Sequence, residues 1–442
     1  MTELFTSNLA LISQRWPAVA SKLTLANFDH FDANLVTGQN QTISVNGIQL
    51  SSRHNRLAEA QLFIEQLPKN CVDVTVYGMG MGDVISLLCD NSTVNDSFQA
   101  PLRSELQTIT VCPLNYSLFA LLLCYTDQSE WLNDPRIYIE SELTQNVTNG
   151  QYISITPDLL LIDDCNAVLR DLLVYENNRA YANQRSQDNE SIFKQRLAAN
   201  RHLLTKDADA AKLKDHYSKP KAYVIGTGPS LEQHYQFLAT ERLKPLGQRP
   251  LFIAVDTALT PLISHGVVPD IVVSIEQNIT REHFPKTFAD DINLVYFPTV
   301  PTDVIEWWPG PKYNAYSQHT KYDAINEQLT KLRLFSNGSV LHPAIDLAVH
   351  LQASDITLFG SDFCYPNNKT HAHWPDGALG LKAAHAKHWV FNGIGEKVAT
   401  ELSFRGYLRS LEHYIRTKPH VAFYQSSLSS ARIDGASFKE CK

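Results

Sequence analysis

The stretch Tyr223-Val224-Ile225-Gly226-Thr227-Gly228-Pro229-Ser230-Leu231 sets an apolar run against a glycine-rich turn and then resumes with an apolar residue. It reads as strand, tight turn and helix. Glycines let the backbone turn sharply and approach a neighbour closely, and proline at a first helical position loses no needed donor. Free N–H groups at such a helix start face anions, so the spacing predicts a phosphate or nucleotide turn at Gly226, Thr227, Gly228 and Ser230. A tight βα turn without a ligand would use the same residues. The stretch lacks the Lys-Ser/Thr of a P-loop and the third glycine of a dinucleotide fingerprint, which weakens ATPase and NAD readings.

Working outward, apolar strand-like runs occupy residues 222–225, 251–256, 271–276, 293–297 and 356–359, separated by helical patterns. One helix is opened by Asn337-Gly338-Ser339 and carries Val340, Ala344, Leu347, Ala348 and Leu351 at spacings of three or four. This alternation predicts a doubly wound, parallel α/β sheet with its site at the C-terminal strand ends. Asp256 and Glu276 end successive strands and would ring that crevice. The last strand runs into Gly360-Ser361-Asp362, followed by Lys369-Thr370-His371-Ala372-His373.

The N-terminal region has a similar rhythm: runs at 72–77, 108–112, 137–140 and 159–163 read as strands, and 116–124 as a helix. Asn46-Gly47 splits a small hairpin. The turn Gly78-Met79-Gly80-Met81-Gly82 resembles that of an S-adenosylmethionine methyltransferase, but the next strand ends in Val111-Cys112-Pro113 without a ribose-binding acid, so no such cofactor is expected. The expected layout is a Rossmann-like α/β domain over 1–175, a helical connector over 176–217, a central catalytic domain over 218–380 and a helical C-terminal region over 381–442, where Phe404, Tyr407, Leu408, Leu411, Tyr414 and Ile415 mark an amphipathic helix.

With 442 residues, 44% hydrophobic and 19% charged, the chain can bury several cores. A formal net charge of -8 without a basic stripe disfavours nucleic acid and anionic lipid as partners. The longest apolar stretch, 118–125, is far short of the ~20 residues of a membrane span. With no basic leader at the N-terminus and seven cysteines without a CxxC pair, reduced thiols and a cytoplasmic location are expected. Asp207-Ala208-Asp209 falls in the connector, and nothing completes a site around His371 and His373, so no metal is expected.

Taken in order, Gly226 to Leu231, Pro269-Asp270 before Val272-Val273-Ser274-Ile275, Asn337-Gly338-Ser339-Val340, and Gly360-x-Asp362 with Lys369-Thr370-His371 resemble the Maf (motility-associated factor) glycosyltransferases. Ser51 to Ala60 and Ile433-Asp434-Gly435 extend the resemblance to most of the chain, and the central region is also similar to bacterial sialyltransferases. The chain departs from these patterns at Thr227, where the sialyltransferases carry asparagine, at Glu276, where the Maf pattern usually has aspartate, and at Asn55-Arg56, where Asp-Pro is usual.

The resemblance implies transfer of a CMP-activated nonulosonic acid, of pseudaminic or legionaminic type, to Ser or Thr of flagellin. The donor is a co-substrate, and no further cofactor is implied. His371, ahead of His373, and Asp362 are the implied catalytic residues. Gly226, Thr227, Gly228, Ser230, Asp256, Glu276, Asn337, Gly338, Ser339 and Lys369 are the implied donor-binding set. Archaeal hydroxymethylpterin pyrophosphokinases resemble the same central region and supply the alternative activity. A non-catalytic flagellin-binding protein is the other alternative, and the oligomeric state stays open.

Overall fold

The computed structural model describes residues 2–68, 70–90, 106–144, 147, 150–188 and 190–442. It divides into two compact units, Met1–Asn177 and Asn178–Lys442. In the first, β1 (Ala33–Thr37), β2 (Gln41–Val45) and β3 (Ile48–Gln49) form an antiparallel sheet whose last turn uses Asn46 and Gly47 at positive φ. Beside it, β4 (Asp73–Tyr77), β5 (Thr108–Cys112), β6 (Ile137–Ile139) and β7 (Gln151–Ser154) form a parallel sheet in the order β6-β5-β4-β7.

One expectation is corrected here. Residues 159–163 are not a strand: Thr156–Leu160 is a helix with proline in its first turn, and the neighbouring strand is Gln151–Ser154. The apolar character of Leu159 and Ile162 comes from packing against Tyr77, Cys112 and Leu114, which a helix and turn satisfy as well as a strand would.

The second unit holds β8 (Ala208–Asp209), β9 (Lys221–Ile225), β10 (Leu251–Val255), β11 (Ile271–Ser274), β12 (Asn293–Tyr296), β13 (Lys312–Asn314), β14 (Tyr316–Ser317), β15 (Arg333–Leu334), β16 (Asp355–Phe359), β17 (His388–Phe391), β18 (Lys397–Thr400), β19 (Ala422–Gln425) and β20 (Ala436–Phe438). Nine of these make one parallel sheet, ordered β20-β19-β16-β9-β10-β11-β12-β13-β8. All residues of β10, β11 and β12 are buried, which is why these segments are nearly continuous in valine, isoleucine and leucine. The C-terminal stretch contains the expected helix, Leu402–Arg416, and also the hairpin β17-β18 and the sheet strands β19 and β20.

From β9 the chain winds outward through β10 to β13 on one side, and β16 begins the other side. The boundary between β9 and β16 is therefore the point where strand order reverses, the position at which open α/β sheets make a crevice. Gly226 to Ser230 follows β9, and Gly360 to Asp362 follows β16.

Candidate functional site

At this switch point the two turns are locked together. The Gly226 N–H donates to the Phe359 carbonyl and the Gly228 N–H to the Gly360 carbonyl, both at 2.8 Å. A Cβ built on Gly226 would lie 2.6 Å from the Gly360 oxygen, and one on Gly228 would overlap the Asp362 carboxylate. These glycines are required by close approach of backbone to backbone. Asp362, 3% exposed, accepts the Ser230 N–H at 2.8 Å and the Ser430 hydroxyl. Burial raises its pKa against the lowering effect of those donors.

The expectation of free N–H groups at this turn is thus corrected. Those of Gly226, Gly228 and Ser230 are satisfied internally, with the Asp362 carboxylate in the place an incoming anion would need. The first unit repeats the device: Asp158, 1% exposed, accepts the Met79 and Gly80 N–H groups at 2.8 and 2.9 Å, and burial pushes its carboxyl up to about 6.

Other expected residues are also built into the scaffold. Asp256 is 2% exposed, takes a hydrogen bond from the Ser274 hydroxyl at 2.7 Å and from the Thr257 N–H at 2.8 Å, and so ties the end of β10 to β11. Burial pushes its carboxyl up to about 6. The Thr227 hydroxyl meets that of Thr257 at 2.6 Å. Lys369 is paired with Glu232 at 2.5 Å, so its charge is neutralised locally.

His371 and His373 differ. The Ala372 N–H donates to the Thr227 carbonyl and the Trp374 indole to the Thr257 carbonyl, which seats this segment over the ends of β9 and β10. His373 is exposed, whereas Nδ1 of His371 is buried without a partner. Burial lowers the His371 pKa to about 4, against the raising influence of Asp376. Its imidazole is therefore neutral near pH 7.

A cavity of about 700 Å³ lies along the C-terminal ends of β11 and β12. Glu276, Asn337 and Gly338 line it, whereas Asp256, Asp362, Lys369 and His371 do not. Leu341–His350, a helix of 10 residues, begins at its edge, and Gly338 reaches φ +85° in the turn before it. The Ser339 hydroxyl caps this turn by accepting the Leu341 N–H at 3.3 Å.

Three residues that the sequence reading gave no part in a site lie at or beside this cavity. The Lys321 ammonium lies 5.0 Å from the Phe193 ring centre and 5.4 Å from that of Tyr322, with no carboxylate in ion-pair range among the described residues. His342, 0% exposed, accepts the Asn337 N–H on Nδ1 at 3.2 Å and donates from Nε2 to the Tyr407 carbonyl at 3.0 Å. Tyr407 closes one wall, its ring pressed on Gly338 where a Cβ would collide. His342 left a trace in the sequence as a polar residue inside an apolar helical pattern and Tyr407 as a position on the amphipathic helix, whereas Lys321 left none.

The family model of the 6-hydroxymethylpterin diphosphokinase MptE-like domain matches residues 195–368, which includes the glycine turn and the strand ends of the second unit. Among solved structures, a MAf glycosyltransferase from Magnetospirillum magneticum AMB-1 aligns with 99% of this chain and 74% of its own length, at 14% identity and a TM-score of 0.44. The C-terminal domain of glucosamine-fructose-6-phosphate aminotransferase from Francisella tularensis aligns with 80% of this chain and 94% of its own length, at 9% identity and a TM-score of 0.15. No curated protein sequence matches the chain. Among the described residues, no helix is long and apolar enough to cross a membrane, and no group of three or more His, Cys, Asp or Glu converges to hold a metal.

Proposed function

We propose that the protein is a glycosyltransferase that moves a CMP-activated nonulosonic acid, of pseudaminic or legionaminic type, onto Ser or Thr of flagellin. The observation that carries the nucleotide-sugar part is the 700 Å³ cavity at the strand ends, where Asn337 and Gly338 meet the unpaired Lys321. Its size suits a sugar nucleotide. The Lys321 cation offsets the charge that develops on a departing phosphate. Glu276 supplies an acceptor for ribose or base. The acceptor class rests on the motif resemblance of the whole chain to the Maf family.

The acceptor hydroxyl must shed a proton as it attacks an oxocarbenium-like anomeric carbon. His371, neutral and with a buried ring nitrogen lacking a partner, is the base in this reading; it does not line the cavity, so the acceptor hydroxyl has to be brought to it over the ends of β9 and β10. Asp362 serves as a positioning residue, since its carboxylate holds the turn below and touches no cavity. Gly226, Thr227, Gly228, Ser230 and Asp256 likewise do not line the cavity but hold the strand ends together, and Lys321 takes the role first given to Lys369.

The family-model match favours a second reading, pyrophosphoryl transfer from ATP to a pterin alcohol on the same scaffold. Calorimetry with CMP and ATP separates the two. The proposal expects CMP to bind and ATP not to, and expects mass spectrometry to find the sugar on flagellin after incubation with the CMP-activated donor. His371→Ala should lower the transfer rate by about 10²–10⁴-fold with little change in CMP affinity. Binding of ATP without CMP would sink the proposal, and full turnover by the His371 variant would sink the base assignment.

A further inference from the structure

The second unit has another cavity, of about 430 Å³, between the loop carrying Leu381 to His388 and the start of the helix Leu402–Arg416. Lys382, His385, Lys387 and His388 all line it, against the single acid Glu401. Glu401 is engaged by the Tyr365 hydroxyl. Lys382, His385 and Lys387 have no carboxylate in ion-pair range among the described residues. The stem of Lys382 runs over Gly377, where a Cβ would lie 2.8 Å from Lys382 Cγ, so the missing side chain gives that lysine its course.

The cavity is too large for a bare phosphate and is of the size that holds a small ligand. Tyr365 and Ser403 offer hydroxyls, and Leu381, Ala386 and Leu402 offer apolar surface. Concentrated positive charge with hydroxyls on one side and hydrocarbon on another matches an acidic monosaccharide, whose C–H face, hydroxyls and carboxylate need those three environments. Tyr365 on this cavity and Tyr407 on the larger one both contact the Phe404 ring, at 5.5 and 6.2 Å between centroids. The two cavities thus flank one aromatic partition.

We infer that this basic cavity binds the carboxylate-bearing sugar, beside the cavity assigned to the nucleotide. The inference rests on the donor reading above. N-acetylneuraminate is the probe, N-acetylmannosamine the neutral control, inorganic phosphate the bare-anion control and CMP the nucleotide control, each titrated calorimetrically into the full chain and into the double variant Lys382→Gln/Lys387→Gln.

The expected result is neuraminate binding that falls at least tenfold in the double variant, with CMP affinity changed less than twofold. That CMP control and an unchanged thermal unfolding midpoint show that the variant is folded. Neuraminate binding unaffected by the double substitution, equal binding of the neutral sugar, displacement by equimolar phosphate, or no neuraminate binding would each overturn the inference. Failure of CMP to bind wild type removes the donor reading instead, while the neuraminate titrations still decide the basic cavity. CMP-N-acetylneuraminate distinguishes the source of the sugar: loss of its affinity in the double variant assigns the cavity to the donor, and unchanged affinity assigns it to a separate acidic sugar.

Discussion

His342→Gln tests whether a buried neutral imidazole sets the turn at the large cavity. The imidazole accepts the Asn337 N–H on Nδ1 and donates to the Tyr407 carbonyl from Nε2. Glutamine has both a donor and an acceptor, but an amide NH2 at the Nε2 position leaves its oxygen one bond beyond the Nδ1 position, so the Asn337 N–H loses its acceptor. A lost buried hydrogen bond costs about 1–3 kcal/mol, so at pH 7.5 the variant should be less stable by that amount. Burial lowers the His342 pKa from 6.5 to about 4. Between those values the unfolded chain takes up a proton that the folded chain refuses, so this histidine's contribution is present above pH 6.5 and is lost as pH falls toward about 4. At pH 4.5 the loss amounts to about 2.5 kcal/mol, and glutamine does not share it. The variant should therefore approach or exceed wild-type stability at pH 4.5. Urea unfolding of both proteins at the two pH values, followed by tryptophan fluorescence in the second-unit transition, measures the difference, and every other titrating group cancels to first order. A stability gap that stays within about 0.5 kcal/mol from pH 7.5 to 4.5 would refute the assignment.

Asp256→Asn should show the opposite pH trend. Its folded-state pKa is raised to about 6, so its contribution is present below 3.8 and lost as pH rises through 6; relative to wild type, the variant should gain up to about 3 kcal/mol between pH 4 and 7.5, measured by the same unfolding experiment. Gly228→Ala drives a Cβ into the Asp362 carboxylate and to 2.6 Å from the Gly360 oxygen, and should destabilise the second unit by about 1–3 kcal/mol or more in thermal unfolding. Lys321→Gln should weaken CMP binding by about tenfold in calorimetry without changing the unfolding midpoint, as expected for one charge-assisted contact in an open cavity.

The parallel sheet was legible because a doubly wound core leaves a strong trace: β10, β11 and β12 are buried throughout, so nearly every residue in them is apolar. The reversal point was legible in its glycines, whose reason is steric. What those glycines approach was not legible, because Gly226 meets Gly360 across 134 positions of chain and Ser230 meets Asp362 across 132. Nothing local distinguishes an N–H held by an internal carboxylate from one left open to a ligand. Lys321 shows the same limit, since its setting on Phe193 joins a helix to a distant 3-10 turn. The strand expected at 159–163 failed for a different reason: a short apolar run has no resolvable period, and Pro157, which begins a helix, was the available signal.

Both glycine turns carry a buried aspartate against their N–H groups, Asp158 in the first unit and Asp362 in the second, and this separates fold from site. A carboxylate is an anion supplied by the chain itself, already dehydrated and covalently tethered, so it competes at very high effective concentration with any phosphate for the same donors. A phosphate could enter only by displacing it, which would leave an unpaired charge at a position 3% exposed or less. In this protein the glycine-rich turn is therefore a fastener between two strands. The cations without a carboxylate partner among the described residues sit elsewhere, Lys321 on the larger cavity and Lys382 and Lys387 on the smaller, and these are where we propose that ligand charge is met. A motif common to many nucleotide enzymes can thus persist for packing alone, and the unpaired charge around a cavity is the better guide to where the substrate's charge will sit.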